Sequence, residues 1–284
     1  MIGKANSILV ETKNRWHRSS VTHLGLAFML SFIILGCEEA FEYEPLLQDD
    51  LLVVEAFITS EKKQQEVHLS KTYTDLNGNP PPVTNALVAI HDGDSIFIFT
   101  HDPERPGTYL SDSIQGLFGK TYTLYILHEG IEYYAQATSA FGSPLEPLVT
   151  RELDNGWFEF VYQESNEPSM TEVIVTWEET DSLGQTKQEL RRAFYYTLNS
   201  FDITSVFAPE KDGLVFPEGA QVFRRKYSLT ENHQDFIRSF LSEVDWRGGV
   251  FDVSAGNVLT NLTDGAVGYF SVSMVRTDTT IVSK

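Results

Sequence analysis

The stretch KTYTLYILHEGIEYYAQATS, Lys120–Ser139, decides the fold class. Two runs rich in β-branched and aromatic residues, KTYTLYILHE (Lys120–Glu129) and IEYYAQATS (Ile131–Ser139), meet across Gly130. Apolar residues at every second position mark a half-buried strand, and a glycine between two such runs marks a hairpin. Working outward, LLVVEAFIT (Leu51–Thr59), QEVHLSK (Gln65–Lys71) and GTYLSD (Gly107–Asp112) have the same short strand character. ALVAIHD (Ala86–Asp92) and SIFIFTH (Ser95–His101) flank a second turn at Gly93-Asp94. Seven strands and no helix between residues 51 and 140 predict an immunoglobulin-like or fibronectin-like sandwich. NGNPPPV (Asn77–Val83) is excluded from a central strand because proline supplies no ladder donor, and reads as an exposed loop.

FGSPLEPLV (Phe141–Val149), stiffened by Pro144 and Pro147, reads as a linker. A second set of strands follows: WFEFVYQ (Trp157–Gln163), TEVIVTWEE (Thr171–Glu179), RRAFYYTLNSF (Arg191–Phe201), AQVFRRKYS (Ala220–Ser228) and VGYFSVSMV (Val267–Val275). Thr230–Val244 has helical spacing, with Phe236, Ile237, Phe240, Leu241 and Val244 on one face and Ser228 and Glu231 at capping-box spacing. The expected fold class is therefore all-β, with two immunoglobulin/fibronectin-like β-sandwich domains. They cover residues 51–140 and 148–284, the second carrying one α-helix near residues 230–244.

The N-terminus reads as an address. Residues 1–23 carry Lys4, Lys13, Arg15 and Arg18 against Glu11, and LGLAFMLSFIIL (Leu24–Leu35) has no charge. A basic segment followed by an apolar run shorter than the roughly 20 residues of a membrane span fits a signal peptide. Ile34-Leu35-Gly36-Cys37 resembles the bacterial lipobox, and Cys37 is the only cysteine of the chain. The expectation is a lipoprotein signal peptide over residues 1–36, acylation at Cys37, and an acidic tether over residues 37–50 containing Glu38, Glu39 and Glu42. Acyl chains on Cys37 would hold the protein on a bilayer without spanning it. In Bacteroidetes lipoproteins an acidic tract after the cysteine resembles a signal for display on the cell surface. The expected location is thus the outer membrane, lipid-anchored and facing the exterior.

The whole chain has 21 Lys and Arg against 40 Asp and Glu. Four of the basic residues and one acid precede Cys37, leaving 17 against 39 and a net charge of −22. Such a chain repels phosphate backbones and anionic headgroups, so no nucleic-acid partner is expected.

The lipobox, then LVVEAFIT, PPPVTNALVAIHDGDS, PGTYLSD, GKTYTLYI and EYYAQA, and finally GNVLTNLTDGAVGYFSVSMV (Gly256–Val275) occur in an order that resembles a family of Bacteroidetes outer-membrane lipoproteins, the domain-of-unknown-function 4249 family. The shared features are structural: strand cores, a turn glycine at Gly107 and Gly119 ahead of a strand. Ala56 departs from the pattern, which has glycine there. The resemblance implies a surface accessory encoded beside a TonB-dependent outer-membrane barrel, helping to capture a ligand or nutrient. The alternatives are a surface adhesion or structural lipoprotein, and an unrecognised hydrolase.

No motif identifies a reaction. The chain lacks a Gly-x-Ser-x-Gly elbow, a His-Glu zinc motif and a glycine-rich phosphate loop, so neither an enzyme nor a cofactor is expected. His91-Asp92 and His101-Asp102 repeat a dipeptide on either side of a hairpin strand, which falls short of the three or four ligands of a metal site. DLNGNP (Asp75–Pro80) reads as a turn. Four serines or threonines lie in the Asp-Ser/Thr-aliphatic-or-Thr pattern that resembles the Bacteroidetes O-glycosylation acceptor: Ser95, Ser113, Ser182 and Thr279. Asn261-Leu262-Thr263 matches an N-glycan sequon by accident of composition. Tyr133-Tyr134 and Tyr195-Tyr196 each place one ring on either side of a strand, so one of each pair must face outward or meet another surface.

Overall fold

The structure, a computed structural model, describes residues 50–75, 77–180, 184–199, 213–246 and 258–283. Its first seven strands are β1 (Leu52–Thr59), β2 (Lys63–Lys71), β3 (Leu87–His91), β4 (Ile96–His101), β5 (Thr108–Ile114), β6 (Thr121–His128) and β7 (Ile131–Thr138). The alternation visible in the sequence is the alternation of burial. Tyr122, Leu124, Ile126 and His128 of β6 face inward while the residues between them face out. The β6–β7 hairpin turns on Glu129 (φ 52°) and Gly130 (φ 81°), and two left-handed residues in a two-residue loop match the twist of the flanking strands.

The remaining elements are β8 (Thr150–Glu152), β9 (Trp157–Phe160), β10 (Ser169–Thr180), β11 (Thr186–Thr197), β12 (Val215–Pro217), β13 (Gln221–Ser228), the helix α1 (Glu231–Val244), β14 (Ala266–Ser273) and β15 (Val275–Ile281). They form two further sheets, β11-β10-β13-β15 and β12-β9-β8. Phe158, Phe160 and Phe216 of the short sheet pack with Val173, Val175, Trp177 and Val222 of the long one. The all-β sandwich class read from the sequence is the class observed.

One strand departs from the linear reading. The run Val267–Val275, grouped with the second domain in the sequence, breaks at Met274 into β14 and β15. β14 lies parallel to β1, in register from Leu52↔Ala266 to Thr59↔Ser273, so the first sheet has the order β14-β1-β2-β5-β4-β3-β6-β7. Leu262, just ahead of β14, bridges Ala135 of β7, and the sheet closes around Val54, Ile58, Ile90, Leu124, Ile126 and Phe270. Chain order suggested the wrong sheet because pairing is decided by where Phe270 and Val272 are buried, in the first core. After Met274 the same run joins β13 as β15. The strand therefore passes from one sandwich into the other, and the 51–140 and 148–284 segments share it. Residues 48–284 form one compact unit.

The junction is closed by polar contacts. Ser60 N donates to the Ser273 carbonyl (3.0 Å), and Val275 N donates to Ser60 Oγ (2.8 Å). Ser228 does not cap the helix as its spacing with Glu231 suggests. Its hydroxyl donates to the Ala140 carbonyl (3.0 Å) and accepts from Met274 N (2.9 Å), while Thr230 is the N-cap and accepts from His233 N. The proline-stiffened linker is clamped by Lys226. Its ammonium, only 2% exposed, donates to the Pro144 carbonyl (2.8 Å), both Glu146 carboxylate oxygens (2.9 and 3.1 Å) and Ser165 Oγ (2.7 Å).

Gly268 allows β14 to lie against β1. Its φ is 100°, and an added Cβ would overlap the Val54 carbonyl oxygen. Gly268→Ala is therefore expected to cost about 3 kcal/mol or more, combining left-handed strain with a backbone clash. Gly130→Ala, with positive φ but open space around it, should cost about 1–2 kcal/mol. Urea denaturation of the two variants checks the ranking, and a milder loss in Gly268→Ala would contradict this packing of β14.

Candidate functional site

The outward face of β1 and the start of β2 look across at the outer face of β10, β11 and β13 and at one side of α1. Between them lies a cleft of about 590 Å³. Its apolar lining is Phe57, Met170, Phe194, Tyr196, Tyr227 and Phe240. The pleat explains how these rings come to be there. Val54, Ala56 and Ile58 fill the first core, so Glu55 and Phe57 between them point out of the sandwich. The β10–β11 register pairs Met170 with Tyr196 and Glu172 with Phe194, which puts all four on one face. On α1, Ile237 and Leu241 are buried while Phe240 stays exposed to the cleft. Phe57, Phe194 and Phe240 remain 40%, 45% and 44% exposed, unusual for large apolar side chains gathered at one place. A larger depression of about 870 Å³ lies on the short sheet, but only Glu152, Leu153, Asp154, Trp157 and Val215 line it. The inter-sandwich cleft has walls on both sides and is the stronger site.

Arg225 is the electrostatic centre of the cleft. Its guanidinium pairs with Glu61, lies 3.8 Å from Glu172 Oε2 and sits over the Tyr227 ring at 5.3 Å. Lys63 Nζ is 3.1 Å from Glu61 Oε2, and Arg192 Nε is 3.0 Å from Glu172 Oε1. The Tyr227 hydroxyl donates to Glu172 Oε2 at 3.1 Å. Burial alone would raise the Glu61 carboxyl, but the Lys63 hydrogen bond and the Arg225 charge outweigh it and hold the group below its ordinary range. Burial raises the Tyr227 hydroxyl, with the Arg225 charge opposing, so it stays protonated. A glycosidase-type acid needs a carboxyl held protonated, and Glu61 is pushed the other way.

Behind the cleft, His233 is buried, its ring stacked on Tyr269 (4.9 Å) and tilted against Phe57 (5.8 Å). Desolvation pushes its pKa down to about 3, so it stays neutral and acts as an aromatic support for Phe57.

Of the residues singled out in the sequence, Cys37 and Ser182 lie outside the described residues. Ser95, Ser113 and Thr279 are exposed, in the β3–β4 turn, near the end of β5 and on β15 respectively, and none lines the cleft. The two His-Asp dipeptides serve as turn chemistry. Asp92 Oδ1 accepts from Asp94 N and Ser95 N while its other oxygen binds Lys120, and Asp102 pairs with Arg105. His101 packs edge-on against Tyr109. Among the described residues no group of three or more His, Cys, Asp or Glu is placed to hold a metal ion. Asp75 accepts from Asn77 N in a local turn. Asn261 is structural, its amide donating to the Phe270 and Gln136 carbonyls and accepting from Phe270 N. Tyr133 is buried. Tyr134 is exposed, 5.1 Å from Tyr125, and its hydroxyl donates to Glu132. Tyr195 stacks on Tyr162 inside the second sandwich, and Tyr196 is the member of its pair that reaches the cleft.

The family model described as "Domain of unknown function (DUF4249)" matches residues 38–279. The chain belongs to the DUF4249 family. Comparison with curated proteins finds no match. Among solved structures, the FN1–FN3 domains of chicken CNTN1 are similar at 9% identity with a TM-score of 0.26, over 63% of this chain and 60% of that one.

The Lys226 clamp predicts how stability depends on pH. Burial would raise the Glu146 carboxyl, but the hydrogen bond from Lys226 dominates and lowers it below its ordinary 4.5. A depressed carboxylate contributes stability above its unfolded pKa, and that contribution disappears as pH falls through the folded value. Glu146→Gln should therefore melt below the wild type at pH 7, with the gap closing as pH drops below about 4.5. Thermal melts across pH read this directly, and a gap independent of pH would contradict the clamp.

Proposed function

We propose that this DUF4249 protein is a lipid-anchored outer-membrane protein, displayed on the cell surface, that acts without catalysis. In this reading it assists a TonB-dependent barrel in capturing a ligand or nutrient. The observation that carries the binding role is the cleft: three exposed phenylalanines beside ion pairs that hold the Arg225, Glu61 and Glu172 charges. Aromatic rings held open on strands and a helix are apt anchors for recognition, whereas carboxylates tied to cations are poorly placed to exchange protons. The lipobox at Cys37 and the acidic tether support the anchored location, and the family resemblance supports the barrel as partner. Linkage through a tether leaves the folded unit beside the membrane, where a barrel-bound ligand would be within reach.

Two measurements test the proposal together. Cys37→Ser should release the protein from the membrane fraction, because the acyl chains are its anchor. Mild-detergent purification of the tagged, acylated protein from its own outer membrane should recover a TonB-dependent barrel in stoichiometric amount. Recovery of the protein alone, under conditions that keep other barrel complexes intact, would overturn the accessory role and favour adhesion.

A further inference from the structure

The charges around the cleft are unequal. Four charged residues line it: Glu55, Lys63, Glu66 and Arg225. Lys63 and Arg225 are both paired with Glu61, and Glu66 is held by Arg105 and His68. Glu55 alone has no ion-pair or hydrogen-bond partner among the described residues, although it stands two positions from Phe57 on the same face of β1. Its cross-strand neighbours are Tyr269 and His68, and the His68 ring is already engaged by Glu66 and Thr108. The cleft thus offers apolar rings and one uncompensated carboxylate, on a chain of net charge −22 after Cys37 (17 basic against 39 acidic residues). An anionic ligand would meet repulsion from both.

The opposite wall adds a second constraint. β11 is the edge of its sheet, in the order β11-β10-β13-β15, and no strand lies on its other side among the described residues. An edge strand offers a row of backbone donors and acceptors to an extended chain. Phe194 and Tyr196 lie on the cleft side of β11, so a strand added there would place alternate side chains beside them.

Resting on the binding role assigned above, we propose that the cleft recognises an extended, basic segment of a partner protein. The segment adds to the β11 edge, seats aromatic side chains among Phe57, Phe194 and Phe240, and places a lysine or arginine on Glu55. Cation, ring and carboxylate then reinforce one another, since a cation near Phe57 also gains from the ring face.

The test uses two capped pentapeptides, Phe-Ser-Lys-Ser-Phe and its counterpart with glutamate in place of lysine. In both, the first, third and fifth side chains share one face of an extended chain. Isothermal titration of the detergent-solubilised, full-length protein at low salt should show the lysine peptide binding at least about tenfold more tightly. Glu55→Gln should abolish that preference, and Phe194→Ala should weaken both peptides. Equal affinities, no binding of either peptide, or a preference that survives Glu55→Gln would overturn the proposal. The last result would assign the preference to overall charge. Loss of the preference with the barrel still co-purifying would reject this ligand class alone. An intact preference without a barrel would reject the accessory role alone.

Discussion

The structure depends on one strand that serves two sheets. β14 buries Phe270 and Val272 in the first core while its backbone runs parallel to β1, and one residue later β15 completes the second sheet beside β13. A parallel neighbour cannot come from a tight hairpin, and here the chain runs through β8 to β13 and α1 before it returns to β1 as β14. The first sheet is therefore unfinished until β14 arrives, and the second until β15 follows it. This also fixes the cleft, because the outward face of β1 and the outer face of β13 are held at a distance set by Met274 and the Ser60 and Ser228 bonds on either side of it.

Charge is handled differently at the junction and on the surface. The chain carries a large acidic excess, yet the buried junction gathers cations: Arg225 and Lys226 sit side by side on β13, one on each face, each matched to carboxylates. Isolated charges there would carry a heavy desolvation cost, and pairing with several hydrogen bonds each makes burial tolerable. Register is a further consequence. Lys226 reaches Pro144 and Glu146 only if β13 is aligned as observed, so the clamp fixes the linker and the strand together. The stiffness suggested by Pro144 and Pro147 is thus reinforced by a side chain that the linker's own sequence does not contain.

Much of the fold was legible because strands announce themselves locally. The period-two pattern in Lys120–Ser139 and the glycine at its centre specify a hairpin without reference to anything distant. The sheet assignment of β14 was not legible, since Phe270 reads the same in either core, and neither was the start of β11, where TKQEL is an exposed edge with no buried face to produce a pattern. The cleft left a faint signal. Phe57 is an apolar residue out of phase with Val54, Ala56 and Ile58, and Phe240 lies at the margin of the helix's apolar face. An out-of-phase ring is visible in a sequence, but that three of them converge depends on the way the two sandwiches are joined. Arg225 and Glu61 were invisible as a pair because 164 positions separate them.

The central claim is that both sandwiches form one cooperative unit through the shared strand. Hydrogen exchange measured by mass spectrometry across a urea series tests it directly, following segments from β6–β7 and from β10–β13 in the same samples. Loss of protection in both at one common midpoint is the predicted result. Two separated midpoints, with one sandwich protected after the other has opened, would contradict it.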